Sequence, residues 1–164
     1  MQVIIKKSKT KNFYGTTFYE SIRKKYIAYF YTVNNKPVIL FDGVCNLCSG
    51  SVQFILKRDK EKKFLFASLQ SNHGQDLLKR SSLPMDTFNS FILFEDGKII
   101  TRSTAALKIF SQLKGWKWVK IFWIVPKFIR DAFYNLIAKN RYKWFGKRNE
   151  CWLPTPDLKA RFLD

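Results

Sequence analysis

The sequence predicts an α/β domain with the element order β-α-β-α-β-β-α, followed by further helices and preceded by a basic extension. Three observations support this fold class. A four-residue apolar run at 38–41 is followed by a turn and a helical pattern. A second apolar run lies one crossover length further on, and an Asp-Gly turn joins two later apolar runs.

The first strand is predicted over Val38–Asp42, because a short run of consecutive apolar side chains is typical of a buried strand. Asp42-Gly43 ends this strand with turn-forming residues. Apolar residues at helical spacing then predict a helix over Cys45–Arg58, whose last turn is charged. The candidate catalytic residues of the chain lie at this strand-to-helix turn.

The second strand is predicted over Phe64–Leu69, and the length of the crossover favours a parallel, right-handed βαβ unit. A short helix is predicted over Asn72–Arg80, with Asn72 as its N-cap. A loop is expected over Ser81–Asn89.

A β-hairpin is predicted from strands Ser90–Phe94 and Lys98–Arg102, because the intervening turn contains Asp96-Gly97. A helix is then expected from about Thr104 to Leu113, with Ser103 as its cap. These elements complete the core of the predicted domain.

Apolar residues at helical spacing continue from Gly115 to Asn140, and Pro126 should kink this helix, break it or start a second one. We expect the apolar stripe to pack against the domain, as such stripes usually do. The alternative is docking to a membrane surface through Trp and Lys side chains.

The turn after the first strand contains Cys45 and Cys48 at C-x-x-C spacing. Strand, turn, C-x-x-C and helix in this order are typical of a thioredoxin-like redox site. Two residues three apart on the first helical turn share a face, so the two sulfurs could form and break a disulfide. A helix N-terminus stabilises a thiolate. We therefore assign Cys45 as the nucleophile and Cys48 as the resolving thiol.

Three further residues have more than one interpretation. Asp42 could cap the turn through its side chain or accept the proton of Cys48 during resolution. Cys151 could be an accessory redox thiol, a regulatory thiol or a buried structural residue, and we favour a structural role near the site. His73, the single histidine, is expected to be a solvated residue at a helix start.

The run from Phe41 to Cys48 (FDGVCNLC) resembles the hallmark of the DCC family of thiol-disulfide oxidoreductases. The segment from Ala138 to Gly146 (AKNRYKWFG), followed by CWLP from Cys151, resembles that family's closing segment. The resemblance covers residues 36 to 164. It implies a thioredoxin-like fold, protein-disulfide reductase-type activity and a role for Asp42 at the site.

The sequence departs from thioredoxin-like proteins where these usually place a cis-proline before the third strand. Asn89 and Ser90 occupy that position, and Pro84 lies too far upstream. Asn89 or Ser90 could therefore face the cysteines and contact the substrate. The departure concerns recognition of a peptide substrate more than it concerns the thiol chemistry.

Length and composition favour one domain over residues 36–164, including a helical segment 115–164, with an extension over residues 1–35. Three cysteines fit a reducing, cytoplasmic setting, and no apolar run is long enough for a transmembrane helix. The extension is basic and aromatic, and its pattern allows an amphipathic helix from about Thr17 to Tyr31. We expect a poorly ordered or loosely docked extension; the alternative is a membrane-surface or organelle-targeting segment.

The net charge of +18 lies mainly on the flanks, with +7 in residues 1–36, +3 in 37–112 and +8 in 113–150. Such flanks could attract an anionic surface, nucleic acid or an acidic protein. The expected partner of the central part is a disulfide-containing protein or a small thiol or disulfide. No cofactor and no metal are expected, and the oligomeric state is open.

Two other functions compete with disulfide exchange. A small zinc site could use Cys45, Cys48, Cys151 and His73, although the last two lack paired ligand spacing. A nucleic-acid- or membrane-surface-binding module would rest on the positive charge and the aromatic content alone.

Overall fold

The computed structural model describes residues 36–81, 91–150 and 155–163. Several predictions fall outside these ranges: the helix at 17–31, most of the loop with Pro84, and the positions of Asn89, Ser90 and Cys151. The described residues form a mixed α/β domain with a thioredoxin-like fold, as predicted.

The described chain begins with a buried strand and ends with a short 3₁₀ turn. In chain order it forms strand β1 (Val38–Phe41), helix α1 (Asn46–Arg58), strand β2 (Leu65–Ser68), helix α2 (Asn72–Ser81), strands β3 (Ile92–Glu95) and β4 (Lys98–Thr101), helix α3 (Arg102–Gln112), a 3₁₀ segment (Lys117–Ile124), helix α4 (Lys127–Phe145) and a 3₁₀ turn (Lys159–Arg161). The predicted order of the core elements is confirmed.

Within the described residues, the sheet has the strand order β2-β1-β3-β4. β1 and β2 are parallel, with Ile39 opposite Phe66, as expected of a βαβ unit. β1 pairs antiparallel with β3, and β3 pairs antiparallel with β4. Asp96 and Gly97 have φ angles of 49° and 69°, which is the left-handed conformation that tight hairpin turns require. The predicted hairpin is confirmed.

Side chains alternate across β1 and so supply both faces of the sheet. Ile39 and Phe41 belong to one core cluster, which also includes residues of α1 and α3. Val38 and Leu40 belong to the other cluster, which includes residues of α2. The sheet is therefore a middle layer, and α1 and α2 lie on its opposite faces.

Two predicted helix caps were wrong. Helix α2 is capped by Ser71, whose side chain accepts a hydrogen bond from the backbone N–H of Gly74 at 3.1 Å, and Asn72 is its first helical residue. Helix α3 has Thr101 at its N-cap position without a side-chain cap, and Ser103 lies within the first turn. The Ser103 hydroxyl donates to the Asp131 carboxylate instead, a long-range contact that local sequence cannot reveal.

The continuous helix predicted after Gly115 is interrupted. Val125 has an extended backbone because the ring of Pro126 disfavours a helical residue before it, and α4 begins at Lys127. Before this break the chain forms a 3₁₀ segment in which Val119 is buried. Of the three outcomes expected of Pro126, the structure shows a break followed by a second helix.

The prediction that the apolar stripe packs against the domain was wrong for most of its residues. Ile124 is 81% exposed and Phe128 is 74% exposed, while the buried residues of α4 are Asp131 and Arg141. Helix α4 therefore docks through polar side chains and presents apolar ones outward. Periodicity predicts that a helix has an apolar face, but it cannot show which face meets the core. None of the helices in the described part of the chain is long and apolar enough to cross a membrane.

Candidate active site

The turn between β1 and α1 is held by its own side chains and by the loop after β2. Asp42 Oδ1 accepts the backbone N–H of Val44 at 3.2 Å, so the turn-capping interpretation of Asp42 has a geometric basis. Gln70 Oε1 accepts the N–H of Gly43 at 3.0 Å, and the Ser49 hydroxyl donates to the Gly43 carbonyl at 3.2 Å. These hydrogen bonds fix the turn so that Cys45 lies at the start of α1.

Cys45 is the N-cap residue of α1, and Cys48 lies in the first helical turn. The Cys45 Sγ accepts a hydrogen bond from the Cys48 backbone N–H at 3.4 Å. Both cysteines are free thiols, and their side chains also hydrogen bond to each other. The structure thus places the two sulfurs next to one of the unpaired N–H groups of a helix N-terminus.

The two thiols are electrostatically different. The pKa of Cys45 is lowered to about 6, mainly because its sulfur accepts the hydrogen bond from the Cys48 thiol. Burial acts in the opposite direction, and the Cys48 N–H and the positive charge of Arg141 contribute further to the lowering. The pKa of Cys48 is raised strongly, because its thiol donates that hydrogen bond and because burial disfavours a second thiolate. The favoured state at neutral pH is therefore a Cys45 thiolate beside a Cys48 thiol.

A segment after α4 covers Cys45. Lys147 forms an isolated β-bridge with Cys45, and the backbone N–H of Arg148 donates to the Val44 carbonyl at 2.8 Å. Cys45 has no exposed surface, whereas Cys48 is half-buried. The solvent-accessible surface of the pair therefore belongs to Cys48. Residues 146–148, which we call the covering segment, pair with the backbone beside the buried Cys45.

Asn46 holds the covering segment from the other side. Its side-chain amide donates to the Phe145 carbonyl at 2.9 Å, and its side-chain oxygen accepts from Arg148 Nε at 2.7 Å. The backbone N–H of Asn46 also donates to the Gly146 carbonyl at 3.4 Å. A residue between the two cysteines is thus the main attachment point of their cover.

The buried carboxylate of Asp42 accepts hydrogen bonds from three side chains close to the cysteines. Arg141 Nη2 donates to Asp42 Oδ2 at 2.9 Å, Gln70 Nε2 donates to Oδ1 at 2.9 Å, and the Tyr142 hydroxyl donates to Oδ2. Burial raises the pKa of Asp42, but hydrogen bonds from Tyr142, Arg141, Gln70 and the Val44 N–H outweigh it and leave the pKa below its ordinary value. A carboxylate with this many donors is a weak proton acceptor.

Tyr134 is a second tyrosine of α4 near the cysteine pair, and its side chain is half-buried. Its oxygen accepts the backbone N–H of Phe91 at 2.9 Å, just before β3. Burial raises its pKa to about 12, and the charges of Cys48, Arg141 and Cys45 act on it as well. The hydroxyl is therefore neutral across the physiological pH range.

Of the predicted site residues, Asp42, Cys45 and Cys48 lie together in the structure, while Asn89, Ser90 and Cys151 lie outside the described residues. His73 is exposed at the start of α2, where it was expected. Arg141, Tyr142, Gln70 and Tyr134 were missed as site residues. The only signal was the AKNRYKWFG motif, which contains Arg141 and Tyr142 but gives neither a role.

An open apolar groove of about 580 Å³ begins beside the cysteines. Asn46 and Leu47, the two residues between the cysteines, form part of its wall, and Phe54, Trp116 and Phe145 are among its aromatic residues. Among the described residues, no group of three or more His, Cys, Asp or Glu side chains is placed to hold a metal ion. Because Cys151 is not described, the zinc alternative stays a prediction.

The comparisons with known proteins agree with this geometry. The profile of the DCC1-like thiol-disulfide oxidoreductases matches residues 39–147, which contain the cysteine pair, Asp42 and Arg141. The protein YuxK of Bacillus subtilis, described as uncharacterized, is 60% identical over 127 residues, which cover 77% of this chain and 93% of YuxK. The chloroplastic DCC family protein At1g52590 of Arabidopsis thaliana is 37% identical over 126 residues, which cover 76% of this chain and 73% of that protein. No solved structure matches the chain. The chain belongs to the DCC family, as a DCC1-like thiol-disulfide oxidoreductase.

Proposed function

We propose that the chain reduces disulfides by thiol-disulfide exchange of the protein-disulfide reductase type, with Cys45 as the attacking thiolate and Cys48 as the resolving thiol. The observation that carries this proposal is the N-cap geometry, in which the Cys45 sulfur accepts the Cys48 N–H at the start of α1. Family membership supports oxidoreductase activity.

The exchange proceeds in two displacements. The Cys45 thiolate attacks one sulfur of the substrate disulfide, the substrate S–S bond breaks, and the departing sulfur leaves as a thiolate that takes up a proton. Cys48 then loses its proton and attacks Cys45 Sγ, which releases the second substrate thiol and leaves a Cys45–Cys48 disulfide. The substrate gains two electrons and two protons, and an external thiol reductant returns the enzyme to its dithiol form.

The covering segment sets the order of events. Cys45 has the lower pKa but no exposed surface, so its attack requires residues 146–148 to move away from Val44 and Asn46. The half-buried Cys48 lies at the surface of the pair, where a substrate disulfide first arrives. Displacement of the cover by the substrate would then expose the thiolate only when a partner is present.

Asp42 acts in this proposal as a positioning residue and not as the base for Cys48. Its lowered pKa and its four hydrogen-bond donors make it a poor proton acceptor. It holds the Arg141 guanidinium where that charge lowers the pKa of Cys45. The turn-capping role and the positioning role use different oxygens of the same carboxylate.

The test compares Cys45→Ser with Cys48→Ser, which are matched because each removes one thiol of the pair. Wild type should turn over a small aromatic disulfide in the presence of an excess dithiol, and Cys45→Ser should fall to the uncatalysed background. Cys48→Ser should accumulate a mixed disulfide at Cys45, visible by mass spectrometry, because the resolving thiol is missing. Equal turnover by wild type and Cys45→Ser would reject the proposal, and trapping only in Cys45→Ser would reverse the two roles.

The remaining parts of the function are also proposals. The partner is a disulfide-containing protein or a small disulfide, and the reducing, cytoplasmic setting expected from the cysteine content is proposed for the chain. Cys151→Ser in the same assay reports whether the third thiol takes part. Asn89 and Ser90 stay proposed substrate contacts.

A further inference from the structure

The outward surface of the 3₁₀ segment and α4 is apolar to a degree that a water-exposed helix rarely shows. Its most exposed members are Trp118, Ile121, Ile124, Phe128 and Phe133, which we call the outer apolar surface. Each of these five side chains is more than half exposed. A contiguous exposed apolar patch marks an interaction site more often than a bare surface.

The orientation of α4 is fixed by polar contacts on its inner side, so the apolar side chains cannot turn inward. The buried Asp131 accepts a hydrogen bond from Ser103 of α3, and Arg141 pairs with the buried Asp42 that follows β1. Rotating the helix to bury Phe128 and Phe133 would expose these pairs and leave Asp42 without its cation. The outward position of the apolar residues is therefore a consequence of how the active-site network holds the helix.

The charge around the outer apolar surface identifies the occupant. Residues 113–150 contain eight exposed Lys or Arg side chains and one exposed acidic residue, Glu150. A second copy of the chain would bring the same positive surface against itself. The extension over residues 1–35 has seven Lys or Arg residues and one acidic residue, so it too has the wrong sign. The occupant must be anionic and must also accept large apolar side chains.

We infer that the outer apolar surface docks onto an anionic lipid bilayer. A bilayer offers negative headgroups directly above an apolar phase, which matches lysines interleaved with Trp, Ile and Phe. Trp118 and Trp123 are exposed in the 3₁₀ segment, and tryptophan favours the membrane–water boundary. The docking is peripheral, because the segment lies along the surface of the domain.

The apolar groove contains residues of α1, of the 3₁₀ segment and of α4. Phe145 and Val119 line the apolar groove together with Asn46 and Leu47, the two residues between the cysteines. The groove therefore extends from the 3₁₀ segment and the end of α4 to helix α1, which begins at the cysteine pair. Vesicle binding can be measured without turnover, so the docking does not depend on the proposed redox activity.

The test uses the full chain with vesicles of phosphatidylcholine alone or mixed with phosphatidylglycerol, measured by flotation and by the tryptophan emission shift. The protein should bind the anionic vesicles with a blue shift, bind the neutral vesicles at least about tenfold more weakly, and lose binding as salt is added. Ile124→Ser combined with Phe128→Ser should lower the partition coefficient by about tenfold or more, because both residues are almost free of the core.

A matched pair of charge variants tests the location of the surface. The double variant Lys120→Glu, Lys139→Glu reverses two charges in the 3₁₀ segment and α4. The double variant Lys60→Glu, Lys79→Glu makes the same change in net charge at exposed positions elsewhere. The first variant should lose about tenfold or more in binding to anionic vesicles, and the second should stay within about threefold of wild type. Circular dichroism and the unfolding midpoint verify that all variants are folded.

Several outcomes would overturn the inference. These are absence of binding to anionic vesicles, equal binding to neutral ones, and wild-type binding by the Ile124→Ser and Phe128→Ser double variant. Binding to polyglutamate without binding to vesicles would assign the surface to an acidic protein. A dimer in sedimentation velocity that the double variant dissociates, without vesicle binding, would assign it to a second copy.

Discussion

Arg141 Nη2 lies 2.9 Å from Asp42 Oδ2, although 99 residues separate the two positions in the chain. The side chains are 4% and 5% exposed, so this ion pair is almost completely removed from water. The ion pair connects the end of β1 to the inner side of α4, close enough to the cysteine pair for both charges to act on Cys45. Its removal should therefore affect both the stability of the fold and the pKa of Cys45.

We predict strong coupling between Asp42 and Arg141 in a double-mutant cycle. Asp42→Asn or Arg141→Gln alone should lower the free energy of unfolding by about 3–5 kcal/mol, because each leaves one buried charge unpaired. The double variant should recover about 1–3 kcal/mol relative to the sum of the two single changes. Urea denaturation of the four proteins measures this.

Lys127→Gln is the control for that cycle. Lys127 also pairs with a carboxylate, Asp131, but its side chain is 66% exposed. Its loss should cost no more than about 1 kcal/mol. An Arg141→Gln cost as small as that of Lys127→Gln would contradict the prediction.

We predict that the Cys45 thiolate forms with a midpoint near pH 6 in the reduced protein, well below the ordinary thiol value of 9.0. Ultraviolet absorbance of the thiolate measures the midpoint. Cys48→Ala should raise it most, because the Cys48 side-chain hydrogen bond is the main cause of the low pKa, and Cys48→Ser should raise it less because a hydroxyl can still donate. A titration that is unchanged in Cys48→Ala would contradict this cause.

The same low pKa has a consequence for stability. Between about pH 6 and the pKa of an unfolded thiol, the unfolded chain keeps the Cys45 proton and the folded chain has released it. The free energy of unfolding of the reduced protein should therefore rise with pH across this window and lose this contribution as the pH falls through 6. Cys45→Ser removes the titrating group, so its stability should rise less over the same pH range.

We predict that Gly146→Ala opens the cover of Cys45. Gly146 has a φ of 81°, where a side chain is strained, and an added Cβ would lie 3.1 Å from Asn46 Nδ2, which holds the cover. Alkylation of Cys45 by iodoacetamide, followed by mass spectrometry, should become faster. Gly115→Ala is the matched control, because Gly115 has a φ of 83° and no atom near its Cβ position. Equal alkylation rates in the two variants would exclude residues 146–148 as the cover.

Substitution by alanine should change the stability of the protein in opposite directions at the glycines of α1 and α2. Gly50 has no atom within 4 Å of its Cβ position, so Gly50→Ala should stabilise α1 by about 1 kcal/mol. Gly74 packs against the backbone of Ser68, so a methyl group there would overlap with the Ser68 carbonyl and destabilise the protein. Thermal unfolding of the two variants measures the difference. A stable Gly74→Ala protein would show that the contact between α2 and β2 can relax.

The sequence predicted the parts of the fold that depend on local patterns. β1, the C-x-x-C turn, α1 and the Asp96-Gly97 hairpin could be predicted because their signals lie within a few neighbouring residues. Arg141 could not be predicted as the partner of Asp42, because nothing local relates positions so far apart. The cap of α2 was misplaced by one residue, since Ser71 and Asn72 are both good capping residues.

The outward face of α4 shows a second feature that could not be predicted from the sequence. The spacing of Phe128, Phe133 and Leu136 predicted a helix with an apolar side, and that helix exists. Burial of its polar side is decided by Asp131 and Arg141, whose partners Ser103 and Asp42 come from other elements. One buried ion pair and one buried hydrogen bond between elements therefore override the usual rule that the apolar side of a helix faces inward.

The C-terminal residues of the described chain complete the core. Phe162 stacks on Phe66 with ring centroids 5.4 Å apart, and Leu163 donates its N–H to the Phe66 carbonyl at 2.9 Å, so this segment lies along the outer edge of β2. Arg161 is paired with the buried Asp59 at the end of α1. A nascent chain on the ribosome would therefore expose the edge of β2 and an unfilled core until these residues emerge.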